Sequence, residues 1–330
     1  MKASATAHSN IALVKYWGRA NLLNIPLNDN IGMTKCGTGS VRLEARTTVE
    51  FSEDYGTDSA AVGGKRLEGR ELERVLEVVN PLRKAAGVGL PFRMESKNDF
   101  PTAAGLASSA AGFAALVLAA SKALNLDMTP EQLSTYARLG SGSAARSLHG
   151  GFVYWHAGDS HETSYAEQIC GPKDFGMGAV IALVSEGRKD VSSDAGHESA
   201  ATSPFNDVRI GRSRELARKM RAAILDDDFT AVGKMAEESC VQMHAVMMTS
   251  QPALFYWLPA TLAVLKAVRK ARESGLECYF SIDAGPNVHC FCRPEKMQEL
   301  QEILQGIEGV KKTIPALPAE NPASAAEHLF

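Results

Sequence analysis

Between Val41 and Phe51 the side chains alternate, with Val41, Leu43, Ala45, Thr47, Val49 and Phe51 interleaved by Arg42, Glu44, Arg46, Thr48 and Glu50. That period of two predicts a strand with one buried and one wet face. Residues 52–65 are polar and glycine-rich and read as a turn or loop, and a helix is expected over residues 67–85. From Pro101 a run of small and apolar residues predicts a long buried helix reaching about Leu124. A second helix opens at Thr129-Pro130-Glu131-Gln132, where threonine caps, proline suits the first turn and glutamine is placed to close a capping box. GGFVYW (150–155) and GMGAVIALVSE (176–186) read as strands.

The polar run over residues 186–205 breaks this pattern, and a domain boundary near residue 187 divides 1–186 from 187–330. Helices are expected near 208–225, 228–247 and 256–274, followed by two short strands around the Gly-Pro turn of LECYFSIDAGPNVHCFCR and a helix over 294–307. Helices and strands do not alternate strictly, so the class is α+β. The tail TIPALPAENPASAAEHLF, with three prolines, is expected to be loosely ordered. There are no internal repeats.

Composition narrows the function classes. With 45% hydrophobic and 22% charged residues in 330, the chain is an ordinary globular sequence long enough for two cores. A formal net charge of −3 offers no broad attraction to nucleic acid or anionic lipid, so any anion site must be local. The first residues lack the apolar core of a secretory signal, and the most apolar run, Ala110 to Ala120, is about half the roughly 20 residues that span a bilayer. A cytoplasmic protein is expected. Six cysteines without a C-x-x-C pair fit reduced thiols, with Cys290 and Cys292 on one face of a strand.

Several stretches could carry chemistry. Gly105 and its small neighbours let a ligand approach the backbone, while Ser108 and Ser109 add hydroxyls at a helix start. The cluster makes a phosphate cradle or, more simply, a small-residue helix start packed on another helix. It is not a Walker loop. Gly140 to Ala145 matches G-x-G-x-x-A but follows a capped helix rather than a strand, which argues against dinucleotide binding. Arg146 beside Ser141 and Ser143 suits a carboxylate or phosphate, or a surface ion pair. Lys15, after the apolar run NIALV, could meet an anion or snorkel to the surface. Asp283, before a Gly-Pro turn, is a turn-capper or an acid presented into a cleft. Lys189, Ser192 and Ser193 are anion ligands or linker; His244 reads as a core histidine, and Asp226, Asp227 and Asp228 as a solvated helix junction. No histidine spacing suggests a transition-metal site.

Taken in order, these strings resemble one family. P-x-x-x-G-L-x-S-S-A, Pro101 to Ala110, resembles the phosphate motif of the GHMP kinase superfamily. NIALVKYWG (10–18), NDFPTAAGLASSAAGFAAL (98–116), GSGSAARSLHGGFVYW (140–155), KDVSSDAG (189–196) and DAGPNV (283–288) are similar to the mevalonate diphosphate decarboxylases. The resemblance implies a two-domain GHMP-kinase-like fold, with an N-terminal domain like ribosomal protein S5 domain 2 and a ferredoxin-like C-terminal domain. It implies ATP- and Mg²⁺-dependent conversion of (R)-5-diphosphomevalonate to isopentenyl diphosphate, and commonly a homodimer. Alternatives are a decarboxylase of 5-phosphomevalonate or a kinase that stops at the 3-phosphate. Carried onto this chain, Asp283, Arg146 and Lys15 are the implied catalytic residues. Tyr16, Arg19, Ser141, Ser143, Arg146, Ser192 and Ser193 are the implied substrate contacts. Asn98, Pro101, Gly105, Leu106, Ala107, Ser108 and Ser109 are implied at ATP, with Ser109 at Mg²⁺. Arg19 departs from the lysine usual after K-Y-W-G and bears on how many phosphates the substrate carries.

Overall fold

The computed structural model of the protein describes residues 1–20, 23–100, 108–187 and 191–330. Three strands come first, β1 (Lys2–His8), β2 (Asn10–Val14) and β3 (Asn30–Gly37). The alternating segment forms β4 (Glu44–Phe51), starting at Glu44 because Leu43 takes a φ of 58°, which no strand residue adopts. The loop expected over residues 52–65 is corrected. It contains a hairpin, β5 (Ser59–Val62) and β6 (Lys65–Arg66), turned at Gly63 and Gly64 with φ of 58° and 78°. Two positive-φ residues give the turn whose twist matches paired strands, and only glycine adopts it at no steric cost.

Helix α1 (Gly69–Ala86) and strand β7 (Phe92–Asn98) lead to α2 (Ser108–Ala123) and α3 (Pro130–Gly140). At the start of α3 the capping box forms as the spacing requires: Gln132 N–H donates to Thr129 Oγ1 (3.3 Å) and Thr129 N–H to Gln132 Oε1 (2.9 Å). Helix α2 packs against β1, β4 and α3. Its alanines, fully buried from Ala110 to Ala120, let those neighbours approach closely. A 3-10 helix, Gly142–Leu148, carries Arg146, and β8 (Phe152–Trp155), β9 (Ala166–Cys170) and β10 (Gly178–Leu183) follow.

Beyond residue 190 lie α4 (Ser193–Ser199), α5 (Asn206–Leu225), α6 (Phe229–Thr249), α7 (Pro259–Glu273), β11 (Cys278–Ser281), β12 (Val288–Cys292) and α8 (Met297–Gln305). The tail differs from its expected looseness, forming β13 (Lys312–Pro318) and β14 (Ala323–Ala325). The two prolines within β13 are tolerated because each falls where the strand has one paired neighbour: Pro315 opposite Val180 in β10, and Pro318 opposite Lys35 in β3.

One sheet has the order β14-β1-β4-β7-β5-β6; the other runs β11-β12-β10-β13-β3-β8-β9, with β2 on β3. The second sheet joins strands from both ends of the chain, so β10, which precedes residue 187, is paired with β12 and β13, which follow it. This weave brings the end of β2, the 3-10 helix and the β11–β12 turn to one place. All six cysteines are free, and Cys290 and Cys292 are buried in β12.

Candidate active site

Lys15 follows β2, where a bulge between Ala12 and Val14 ends regular pairing with β3. Its backbone N–H donates to Ser239 Oγ (2.9 Å), which fixes the segment onto α6. The side chain is 1% exposed, and its ammonium donates to the Ala12 carbonyl (2.8 Å) and to Asp283 Oδ1 (2.6 Å). Asp283 stands just past β11, on a turn closed by Gly285 N–H donating to its carbonyl (2.8 Å). Burial alone would push its carboxyl up, but the adjacent Lys15 ammonium outweighs this and holds it below the usual carboxylate range. The acid is therefore an anion at neutral pH, and its side chain remains 28% exposed toward the cleft.

Arg146 is 2% exposed. Its Nε and Nη2 donate to Asn10 Oδ1 (3.2 and 3.0 Å), its Nη1 donates to Asn30 Oδ1, and the group lies 5.8 Å over the Trp155 ring. Burial pulls its pKa down to about 10, which leaves it charged at neutral pH. Across from it, Ser109 Oγ is 3.2 Å from Ser141 Oγ, and Ser141 Oγ is 3.5 Å from Ser143 Oγ. The Tyr16 ring packs at a tilt against Trp155 (4.8 Å between centroids) and His197 (4.3 Å). A Cβ on Gly142 would lie 2.6 Å from that tyrosine hydroxyl, so the absent side chain lets the serine loop close on Tyr16.

These groups border one cleft of about 1060 Å³, lined by Asp283, Arg146, Tyr16, Asn98, Ser108, Ser109, Ser141, Ser143, Ser192 and Ser193. Lys15 reaches it through Asp283. Arg19 does not line it. Instead Arg19 donates to Asn24 Oδ1 (2.8 Å) and pairs with Glu198 (2.6 Å), with Asp194 at 3.9 Å. Ser192 caps α4, accepting from Ala195 N–H (3.2 Å). Pro101, Gly105, Leu106, Ala107 and Lys189 lie outside the described residues.

Sequence reasoning missed Asp194, which lines the cleft and sits 3.8 Å from Arg74 as well as near Arg19. It lies within the string KDVSSDAG, where the adjacent hydroxyls of Ser192 and Ser193 are the more conspicuous anion ligands. Asn10 and Asn30, which seat Arg146, carried no signal of their own. His244 is a core histidine that also touches the site, with Nε2 3.4 Å from the Ile282 carbonyl. Burial lowers its pKa to about 3, so it is neutral.

Two buried polar atoms at the cleft edge, Asn98 Oδ1 and Trp17 Nε1, have no hydrogen-bond partner among the described residues, which leaves them open to a polar ligand. Hydroxyls at a helix start, an ionised acid and an arginine with no ion pair among the described residues border one cleft of an α+β fold, an arrangement that suits an enzyme of small anionic molecules. Comparison with known proteins agrees. Residues 7–166 match the diphosphomevalonate decarboxylase-like N-terminal domain, and residues 179–327 match the mevalonate 5-diphosphate decarboxylase C-terminal domain. The phosphomevalonate decarboxylase of Haloferax volcanii is 36% identical over 92% of both chains. The diphosphomevalonate decarboxylase of Candida albicans is 37% identical, covering 86% of this chain and 82% of its own. MDDEF, solved in complex with MVAPP, AMPPCP and magnesium, superposes with a TM-score of 0.89 at 34% identity, over 98% of this chain and 99% of its own. The chain belongs to the diphosphomevalonate decarboxylase family and has its two-domain α+β fold.

Proposed function

We propose that the protein catalyses the ATP- and Mg²⁺-dependent decarboxylation of (R)-5-diphosphomevalonate to isopentenyl diphosphate, with release of CO₂, ADP and phosphate, in the mevalonate pathway of isoprenoid biosynthesis. The observation that carries this reading is the meeting of Asp283, Arg146 and Ser109 on one cleft, the acid already ionised by Lys15. The residues fit the nucleotide: Ser108 and Ser109 open α2 at its positive end, Asn98 offers an oxygen with no partner among the described residues, and Val62, Leu67 and Leu116 add an apolar wall suited to a base. Ser109 is the candidate Mg²⁺ donor, which suits an ion normally held by few protein groups plus phosphates and water.

Bound ATP with Mg²⁺ supplies the phosphoryl group that makes the tertiary 3-hydroxyl a leaving group. Asp283 orients that hydroxyl and accepts its proton; because phosphoryl transfer is usually loose, orientation matters more than early deprotonation. Arg146, with Ser141, holds the carboxylate while phosphate leaves C3. The C1–C2 electron pair then becomes the C2–C3 alkene and CO₂ departs. Tyr16, Ser143, Ser192 and Ser193 border the space for the phosphorylated tail. The protein is read as cytoplasmic and homodimeric. Six unpaired cysteines support a reducing compartment, and among the described residues no helix is long and apolar enough to cross a membrane.

A second reading, 5-phosphomevalonate as substrate, is favoured by one observation. Arg19, where the family usually has lysine, is engaged by Glu198 and Asp194 and does not line the cleft, so it is not placed to meet a second phosphate. Purified protein with ATP and Mg²⁺ is to be offered mevalonate, its 5-phosphate and its 5-diphosphate in parallel. Equal release of CO₂ and ADP from the diphosphate supports the main reading, and preference for the monophosphate supports the second. A phosphorylated acid without CO₂ identifies a kinase.

A further inference from the structure

Arg146 is a buried cation without an acid: among the described residues it makes no ion pair, and its hydrogen-bond acceptors are two amide oxygens. Such a group is costly to bury and is kept where something completes it. Three of the five guanidinium N–H groups are taken by Asn10 and Asn30, which leaves two for a ligand. What sets their direction lies on β3. Asn30 and Gly32, two apart on a strand, share one face, and Asn30 is fully buried. A Cβ on Gly32 would lie 2.6 Å from Arg146 Nε and 2.8 Å from its Cδ, and 3.0 Å from the Ile11 carbonyl. The backbone there cannot yield, because Gly32 is paired on both sides, with Ala12 in β2 and Val153 in β8.

We infer that Gly32 and Asn30 form a shelf that positions the Arg146 guanidinium for the substrate carboxylate, Gly32 by giving room and Asn30 by accepting from Nη1 while leaving the positive charge unspent. The inference rests on the reading of Arg146 as the carboxylate holder. Both are positioning residues, since they act through Arg146. The neutrality of Asn30 is part of the device: an aspartate there would hold the arginine more strongly and neutralise it.

The test is calorimetric binding, without ATP, of two ligands: phosphorylated mevalonate with the tail that turnover prefers, and the same molecule with its carboxymethyl group replaced by methyl. Gly32→Ala and Asn30→Asp are each expected to weaken the acid by about tenfold or more and the carboxylate-free ligand by less than about twofold. Asn30→Ser, which keeps a neutral acceptor, is expected to recover part of the loss. Equal weakening of both ligands, or none of the acid, in the variants that fold overturns the shelf. Should Gly32→Ala fail to fold, Asn30→Asp decides, since a merely structural role predicts that a stronger ion pair does no harm. Arg146→Ala must itself discriminate between the ligands; if it does not, the carboxylate assignment falls, and the shelf with it.

Discussion

Lys15 and Arg146 are both buried cations at the edge of one cleft, yet they are compensated differently. Lys15 is matched by Asp283 at 2.6 Å and by a backbone carbonyl, so its charge is spent inside the protein, on keeping an acid ionised. Arg146 meets the oxygens of Asn10 and Asn30, which satisfy its N–H groups and leave its charge in place. The paired cation tunes the protein's own acid, and the amide-seated one is kept for an anion that arrives. Two ends of a site can thus hold the same formal charge and do opposite electrostatic jobs.

The sharpest way to break this contrast is to remove the acid. Asp283→Asn keeps the shape and a hydrogen-bond acceptor for Lys15 but abolishes the anion, and turnover is expected to fall about 10²- to 10⁴-fold. Substrate affinity, measured by titration without ATP, should change far less, because Arg146 still holds the carboxylate. Turnover within about twofold of the parent would end the assignment of Asp283.

A smaller effect comes from the cation beside it. In Lys15→Met, Asp283 keeps its burial, which pushes its carboxyl up, and loses the ammonium that holds it down. Activity that needs the anion falls as pH drops through this pKa, so the acid limb of the rate profile should move to higher pH, with a loss of about 10- to 100-fold at neutrality. The same linkage acts on stability. A depressed carboxyl stabilises the parent above the unfolded pKa, and that contribution is lost as pH falls through the native value. Lys15→Met should lack this acid-side loss. An unmoved limb would show that Lys15 does not set the charge of Asp283.

How far this contrast was readable in advance depended on distance along the chain. The α3 capping box spans Thr129 to Gln132 and is written in local chemistry, so its helix begins as expected. The hairpin at residues 59–66 and the tail strands carry no such local signal, because short, proline- or glycine-marked strands gain stability from partners far away: β5 from β7, β13 from β10 and β3. The site divides in the same way. Asp283, Arg146, Lys15 and Ser109 stood out by residue type within recognisable strings. That Lys15 would meet an acid 268 positions later is a fact of the sheet weave. Gly32 and Asn30 gave no signal, since a glycine and an asparagine in a strand acquire meaning only when an arginine from another element lies on them.

A third buried cation sharpens the comparison. Lys35, on β3, is fully buried and donates to Ser9 Oγ (2.8 Å) and the Asn10 carbonyl (3.0 Å). Among the described residues it has no acid at hydrogen-bond distance, and it does not line the cleft. Burial brings its pKa down to about 7; Asp283 opposes this fall, while Arg146 and Lys15 add to it. Its ordinary value is about 10.4, so between roughly pH 7 and 10 the unfolded chain holds a proton that the native chain has given up. Stability therefore rises with pH across that window, and the full cost of charging Lys35 is felt below it. Lys35→Met removes the cost but leaves Ser9 and Asn10 short of a donor, so the net change at pH 6 is expected to be a gain of only about 1–2 kcal/mol. The decisive quantity is the difference between variant and parent in denaturant unfolding at pH 6 and at pH 9.5. It should shrink or reverse as pH rises, whereas a pH-independent difference would mean that Lys35 titrates as it does in water.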